Sequence, residues 1–302
     1  MNVDHYFEIG KTHYICEDYS YSVIDKKYGC VLVADGCSAS AKIAPVDFGA
    51  RLLTHSLFKE IPSFLDENPN IFELKKDKIN FATNENLNGF FRTLAICAQH
   101  NCVRDLYNFS IQLLDSTLVF CLSNYSDTHH ITFIGDGMAI VNRIADDMKE
   151  ENIVYELSYE SGAPFYLSYW LDQNRLKLYE KEFCGEYRKL LKVSIYDKNF
   201  QTLKTEITKV LPFEDVYTIS IESNSVNFIS VCSDGNLTYR QAQTGNSVDK
   251  KEIFRNFFAY KNFQGDFVKR RMLAFKKQCE KDGIVHDDDI SVATLNFGEN
   301  HG

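Results

Sequence analysis

Four consecutive apolar residues, Val31-Leu32-Val33-Ala34, run directly into Asp35-Gly36. The same junction recurs where residues 131–134 meet Gly135-Asp136-Gly137, and where residues 226–232 meet Ser233-Asp234-Gly235. It appears in reverse at Asp287-Asp288-Asp289, which launches the apolar run 290–297. An unbroken apolar run of four reads as a strand buried on both faces. Strands that end in carboxylates can bring those carboxylates to one edge of a core. Clustered carboxylates repel one another unless a cation lies between them. An all-oxygen ligand set favours Mg²⁺, Mn²⁺ or Ca²⁺ over zinc or copper. A glycine after the Asp lets the backbone turn sharply and bring its carbonyl close to an ion. A single Asp-Gly reads as an ordinary turn; the joint pattern carries the functional reading.

The rest of the chain gives a layered order of elements. A helix is expected over 45–58, with Val46, Ala50, Leu53 and Leu57 at helical spacing and Ser38 or Ser40 capping it. A second is expected over 84–107. Strands are expected at 116–122, 131–134 and 138–144, the last two joined as a hairpin through Gly135-Asp136-Gly137. Residues 158–219 alternate weakly and read as a partly irregular insertion with some strands. Within them, Tyr166, Tyr169 and Trp170 read as core, because large aromatics are mostly buried. Helices at 250–260 and 266–281 precede the closing strand. Strands grouped apart from helices suggest layers, not a doubly wound repeat.

Bulk properties exclude several functions. With 302 residues, 44% hydrophobic and 25% charged, the chain is long enough for a substantial core. A net charge of −9 makes a nucleic-acid partner a poor fit. The nine cysteines are odd in number and sit mainly in apolar runs, which suits a reducing, cytoplasmic setting. Met1-Asn2-Val3-Asp4-His5 shows no signal-peptide pattern. No stretch of ~18 apolar residues suggests a membrane span.

Six motifs, in order, resemble the metal-dependent Ser/Thr protein phosphatases of type 2C. They are Cys16-Glu17-Asp18-Tyr19, Val31 to Gly36, Asp115-Ser116-Thr117-Leu118, Ile134-Gly135-Asp136-Gly137, Val231-Cys232-Ser233-Asp234-Gly235 and Asp288-Asp289-Ile290-Ser291. The resemblance spans nearly the whole chain. It implies an α+β fold, a four-layer α-β-β-α sandwich with two central, mainly antiparallel sheets face to face and helices outside. It implies one domain over 1–302, with a variable insertion at about 158–219. It implies hydrolysis of phosphoserine and phosphothreonine esters by a metal-bridging hydroxide.

By the same resemblance two Mn²⁺ or Mg²⁺ ions are expected per chain. Asp35 would bridge them and the Gly36 carbonyl would bind one. Asp234 and Asp288 would complete one shell. Glu17 and Asp18 would serve the other, partly through water. Asp136, with Asp234, matches a third, weaker site seen in some members. Asp35, Asp234 and Asp288 are thus the expected catalytic set. The expected partners are a phosphorylated protein and a cognate kinase, with no nucleic acid and no membrane.

Two departures stand out. Some relatives carry Arg four residues before the motif's Glu; here that position is His13, with Lys11 two residues earlier, and these are the candidate phosphate contacts. After the first Asp-Gly, relatives often carry His or Met; here the run is Cys37-Ser38-Ala39-Ser40. These departures motivate the alternative of a weakly active or inactive module that binds a phosphorylated partner. Other phosphatase chemistries fail on residues. Val33 stands where a haloacid-dehalogenase pattern needs its nucleophilic Asp, two residues before a second one. Ile43 and Asn108 stand where a cysteine phosphatase needs Arg. No Gly-x-Ser-x-Gly elbow or H-E-x-x-H is present.

Overall fold

The structure is a computed structural model that describes residues 1–37, 48–73, 85–105, 111–124, 128–183, 187–211, 215–222 and 225–298. The first half runs β1 (Asn2–Glu8), β2 (Tyr19–Ile24), β3 (Gly29–Gly36), α1 (Phe48–Glu67), α2 (Glu85–Asp105), β4 (Ser116–Ser123), β5 (Thr128–Ile134), β6 (Gly137–Ile144) and β7 (Glu150–Tyr159). The second half runs α3 (Gln173–Phe183), β8 (Lys189–Asp197), β9 (Leu203–Leu211), β10 (Val216–Glu222), β11 (Val226–Cys232), β12 (Tyr239–Gln241), α4 (Lys250–Phe258), α5 (Phe267–Asp282), β13 (Ile284–His286) and β14 (Ile290–Asn296).

The strands form a seven-stranded sheet, β1-β14-β11-β6-β7-β8-β9, and a five-stranded sheet, β10-β5-β4-β3-β2, with β12 and β13 as a small third pair. The pairings within both large sheets are antiparallel. Alternation along the strands builds the layers. Val31, Val33, Val119 and Phe133 of one sheet meet Val141, Ile229, Val231 and Leu295 of the other in a central core. On the opposite face of the five-stranded sheet, Cys30, Leu32, Leu118 and Phe120 pack against Leu53, Leu57, Phe91 and Leu94 of α1 and α2. On the outer face of the seven-stranded sheet, Met138, Ile140, Phe228 and Val292 pack against Phe254, Phe257, Met272 and Phe275 of α4 and α5. The result is the four-layer α-β-β-α sandwich, and β3 is buried on both faces as its apolar run requires. Cys30, Cys102, Cys121, Cys232 and Cys279 are buried in this interior, as small apolar side chains.

Three expectations change in detail. The first described helix extends to Glu67, well past 58, and carries Pro62 within it; the expected start and caps, 38–47, lie outside the described residues. Tyr107 of the second expected helix also lies outside them. The expected hairpin between β5 and β6 is not one: β5 belongs to the five-stranded sheet and β6 to the seven-stranded sheet. Gly135-Asp136 is a crossover between the two layers. Gly135 makes this possible, with φ of 88° and no room for a side chain beside Thr117.

Residues 158–219 are more regular than expected. After a 3-10 turn at Leu167–Leu171 and α3, strands β8 and β9 widen the seven-stranded sheet and β10 forms an edge of the other.

Candidate metal centre

Register decides which carboxylates meet. Cys232, the last residue of β11, pairs with Met138 on one side and Val292 on the other. Asp136, Asp234 and Asp288 therefore lie just beyond one end of three adjacent strands. In the facing sheet, Tyr19 pairs with Ala34, and Gly36 with Ser116. Asp18 and Asp35 therefore lie at the matching end of β2 and β3. Gly36 allows the closest approach. A Cβ there would sit 2.6 Å from the Glu17 carbonyl oxygen, so only glycine lets these two stretches touch.

The carboxyl groups feel one another strongly. Burial, then the charges of Asp18, Asp234, Asp136 and Asp288, pushes Asp35 well above the usual carboxylate range. Burial, with Asp289 and Asp288 adding to it, pushes Asp18 up to about 7, against the Ser233 and Ser291 hydroxyls. Burial and Asp234 push Asp136 up to about 8. Asp288 is raised by burial and Asp234, and lowered in part by His13. Such mutual destabilisation is the signature of a site that a cation would relieve.

Asp18 is 3% exposed and its Oδ2 has no hydrogen-bond partner among the described residues; the same holds for the buried Oε1 of Glu17. Unpartnered buried carboxylate oxygens are costly. An all-oxygen set with two such oxygens fits a hard divalent cation. Among the described residues, no three His, Cys, Asp or Glu side chains stand in an arrangement that could hold an ion as they are. An ion would have to draw these carboxylates inward.

The two phosphate candidates sit differently. His13 turns its ring to the carboxylates, with Nε2 3.5 Å from Asp288 Oδ1 and Nδ1 3.1 Å from Asp289 Oδ1. Burial alone would lower its pKa, but the Asp289 contact and the charges of Asp289, Asp288 and Glu17 raise it on balance. Lys11 is exposed, and its backbone N–H donates to the His286 carbonyl at 3.1 Å. Its charge is felt by Asp287, outside the carboxylate cluster.

Several contributors were not singled out from sequence. Asp289, 2% exposed, accepts from the N–H of Gly10 at 2.7 Å and of Glu17 at 2.6 Å. It holds the 10–17 stretch against the start of β14. Buried Asn236 donates to the carbonyls of Ser233 and Ser291, which fixes the turn that carries Asp234. Asp115 accepts two hydrogen bonds from Arg175, at 3.0 and 2.7 Å, and one from Ser168. The signals were present, since Asp289 and Asp115 lie inside quoted motifs, but their partners are remote in sequence. Tyr169 and Trp170 pack against the core as expected. Tyr166 is equally half-buried and its ring meets that of Tyr169, but its hydroxyl lies in hydrogen-bond contact with Cys37.

Residues 10–159 match the family model described as Protein phosphatase 2C. Over these residues the chain belongs to the protein phosphatase 2C family. No curated protein matches it significantly. Similar solved structures include the S. agalactiae serine/threonine phosphatase, at 10% identity over 97% of both chains, with a TM-score of 0.46. The catalytic domain of the serine/threonine protein phosphatase PstP in complex with two manganese ions is 11% identical over 97% of this chain and 96% of that one, with a TM-score of 0.45. RsbX in complex with magnesium is 11% identical over 97% and 94%, with a TM-score of 0.39. Among the described residues, no helix is long and apolar enough to cross a membrane.

Proposed function

We propose that this chain is a metal-dependent phosphatase that hydrolyses phosphoserine and phosphothreonine esters of proteins. The observation that carries the reading is the meeting of Asp18, Asp35, Asp136, Asp234 and Asp288 at one edge of two facing sheets, where burial and neighbouring carboxylate charge strengthen the hold of Asp18, Asp35, Asp136 and Asp288 on protons. Asp35, the Gly36 carbonyl, Asp234 and Asp288 would hold one Mn²⁺ or Mg²⁺. Asp35 with Glu17 and Asp18 would hold a second, and Asp136 with Asp234 a weaker third. When bound, the cations supply Lewis acidity toward the phosphoryl oxygens and make water a nucleophile near neutral pH.

The chain's own residues do the rest. Asp289 and Asn236 keep the acidic stretches in register. His13, whose hold on a proton its carboxylate neighbours strengthen, and the exposed Lys11 are the candidate phosphate contacts. We read residues 1–302 as one phosphatase-like domain whose 158–219 insertion borders the site and shapes substrate choice. The proposed setting is the cytoplasm, with a phosphorylated protein as substrate and a cognate kinase opposing the reaction.

A second reading has its own support. The contact of His13 with Asp288 and Asp289, and the open arrangement of the carboxylates, suit a phosphatase-like module that binds a phosphorylated partner without turnover. Hydrolysis of a phosphothreonine peptide with millimolar Mn²⁺ separates the two. The phosphatase reading expects turnover that EDTA abolishes and that Asp35→Asn lowers at least a hundredfold. Wild-type turnover no greater than that of Asp35→Asn would favour the binding module.

A further inference from the structure

Tyr166 occupies a position that no part of the metal reading uses. It lies in the 158–219 stretch, yet contacts to Gly135 and to Asp115 pin its segment against the acidic edge. The Phe165 carbonyl oxygen would stand only 3.0 Å from a Cβ at Gly135, so the segment lies directly on the crossover that carries Asp136. Two residues after Tyr166, the Ser168 hydroxyl donates to the buried Asp115 carboxylate. Arg175 grips the same carboxylate with two hydrogen bonds and lays its guanidinium over the Tyr169 ring, 4.9 Å from the centroid. Asp115 in turn accepts from the Cys37 N–H through its backbone carbonyl, at 2.9 Å. One residue, Asp115, therefore ties the Tyr166 segment to the stretch that follows Asp35-Gly36. Tyr166 is half-buried, and its hydroxyl lies within electrostatic reach of Cys37, Asp35 and Asp136 at the acidic edge.

Resting on the phosphatase reading, we propose that Tyr166 is a substrate-contacting residue whose hydroxyl donates a hydrogen bond to the phosphate group of the bound ester, with Asp115, Ser168 and Arg175 as its positioning residues. Burial and the neighbouring Cys37, Asp35 and Asp136 push the phenol's pKa up, so its hydroxyl stays a hydrogen-bond donor. In the resting chain the hydroxyl meets the Cys37 thiol, a weak partner that a phosphoryl oxygen would readily displace. The donor would stand beside Cys37, two residues after Asp35. It would act on substrate held by the cations and not on the cations themselves.

The test compares wild type, Tyr166→Phe and Arg175→Gln in three measurements: kcat/KM on an aryl phosphate, affinity for inorganic phosphate with Mn²⁺ present, and affinity for Mn²⁺ alone. Tyr166→Phe removes one oxygen and should fold normally. It should lower kcat/KM about tenfold and weaken phosphate binding by a similar factor, as loss of a hydrogen bond to a charged group does, while leaving Mn²⁺ affinity unchanged. Arg175→Gln should reproduce the loss in substrate terms by releasing the segment. The proposal is overturned if Tyr166→Phe stays within twofold of wild type in both kcat/KM and phosphate affinity, or if its Mn²⁺ affinity falls in parallel. A wild-type chain without turnover would sink the phosphatase reading by itself, and the phosphate titration would still judge Tyr166.

Discussion

Asp287, Asp288 and Asp289 are three identical side chains in a row with three different tasks. Asp287 pairs with Arg240, with one oxygen 2.7 Å from Nη2. Asp288 faces the other carboxylates. Asp289 is buried and accepts two backbone N–H groups. The run was visible in the sequence, but the division of labour was not, because strand alternation and remote partners decide it. Asp289→Ala should leave the Gly10 and Glu17 amides unsatisfied and cost about 2–3 kcal/mol in chemical unfolding; Asp287→Ala, at a solvent-screened pair, should change little. His13→Ala should raise KM more than it lowers kcat if the imidazole contributes charge to phosphate binding. An unchanged KM would reduce His13 to a partner of Asp288 and Asp289.

At the scale of elements, short apolar runs located β3, β4, β11 and β14 well, because burial on both faces leaves a continuous apolar signature. The link between β5 and β6 misled for a physical reason. A Gly-Asp-Gly turn suits a hairpin and a crossover equally, and only the sheet partners of the flanking strands choose between them. Gly135→Ala tests the crossover: at a φ of 88°, with Thr117 Cγ2 2.5 Å from the new methyl, it should cost at least about 2 kcal/mol and weaken Mn²⁺ binding by displacing Asp136. A loss under about 0.5 kcal/mol would mean that the crossover is not so constrained. Strand β9 was illegible because it is an edge exposed along nearly its whole length, from Leu203 to Leu211. With neither face consistently buried, no alternation is imposed on its sequence.

Across the whole molecule, the two sheets position charges that resist ionisation in the absence of an ion. Asp18 and Asp136 are raised from the ordinary 3.8 to about 7 and about 8. Between those limits the metal-free folded state binds more protons than the unfolded one. Its stability should therefore fall as pH rises from about 4 to 8, with the loss complete above that window. A cation replaces the protons, so the rise in Tm caused by Mn²⁺ should be larger at pH 8 than at pH 5. A Tm gain independent of pH would contradict this. The family and the layered fold were legible because six motifs fall at strand ends. The proposed substrate contact was not, because the Tyr166 segment, Asp115 and Arg175 come together only through tertiary packing.

The central claim is that separate strand ends bring carboxylates together tightly enough to require a cation, and calorimetric titration of the metal-free chain with Mn²⁺ at pH 7 tests it most directly. The account predicts saturable binding with proton release, visible as heat that varies with the ionisation enthalpy of the buffer, and loss of the tightest site in Asp35→Asn. Absence of binding heat, or binding unaffected by Asp35→Asn, would contradict it.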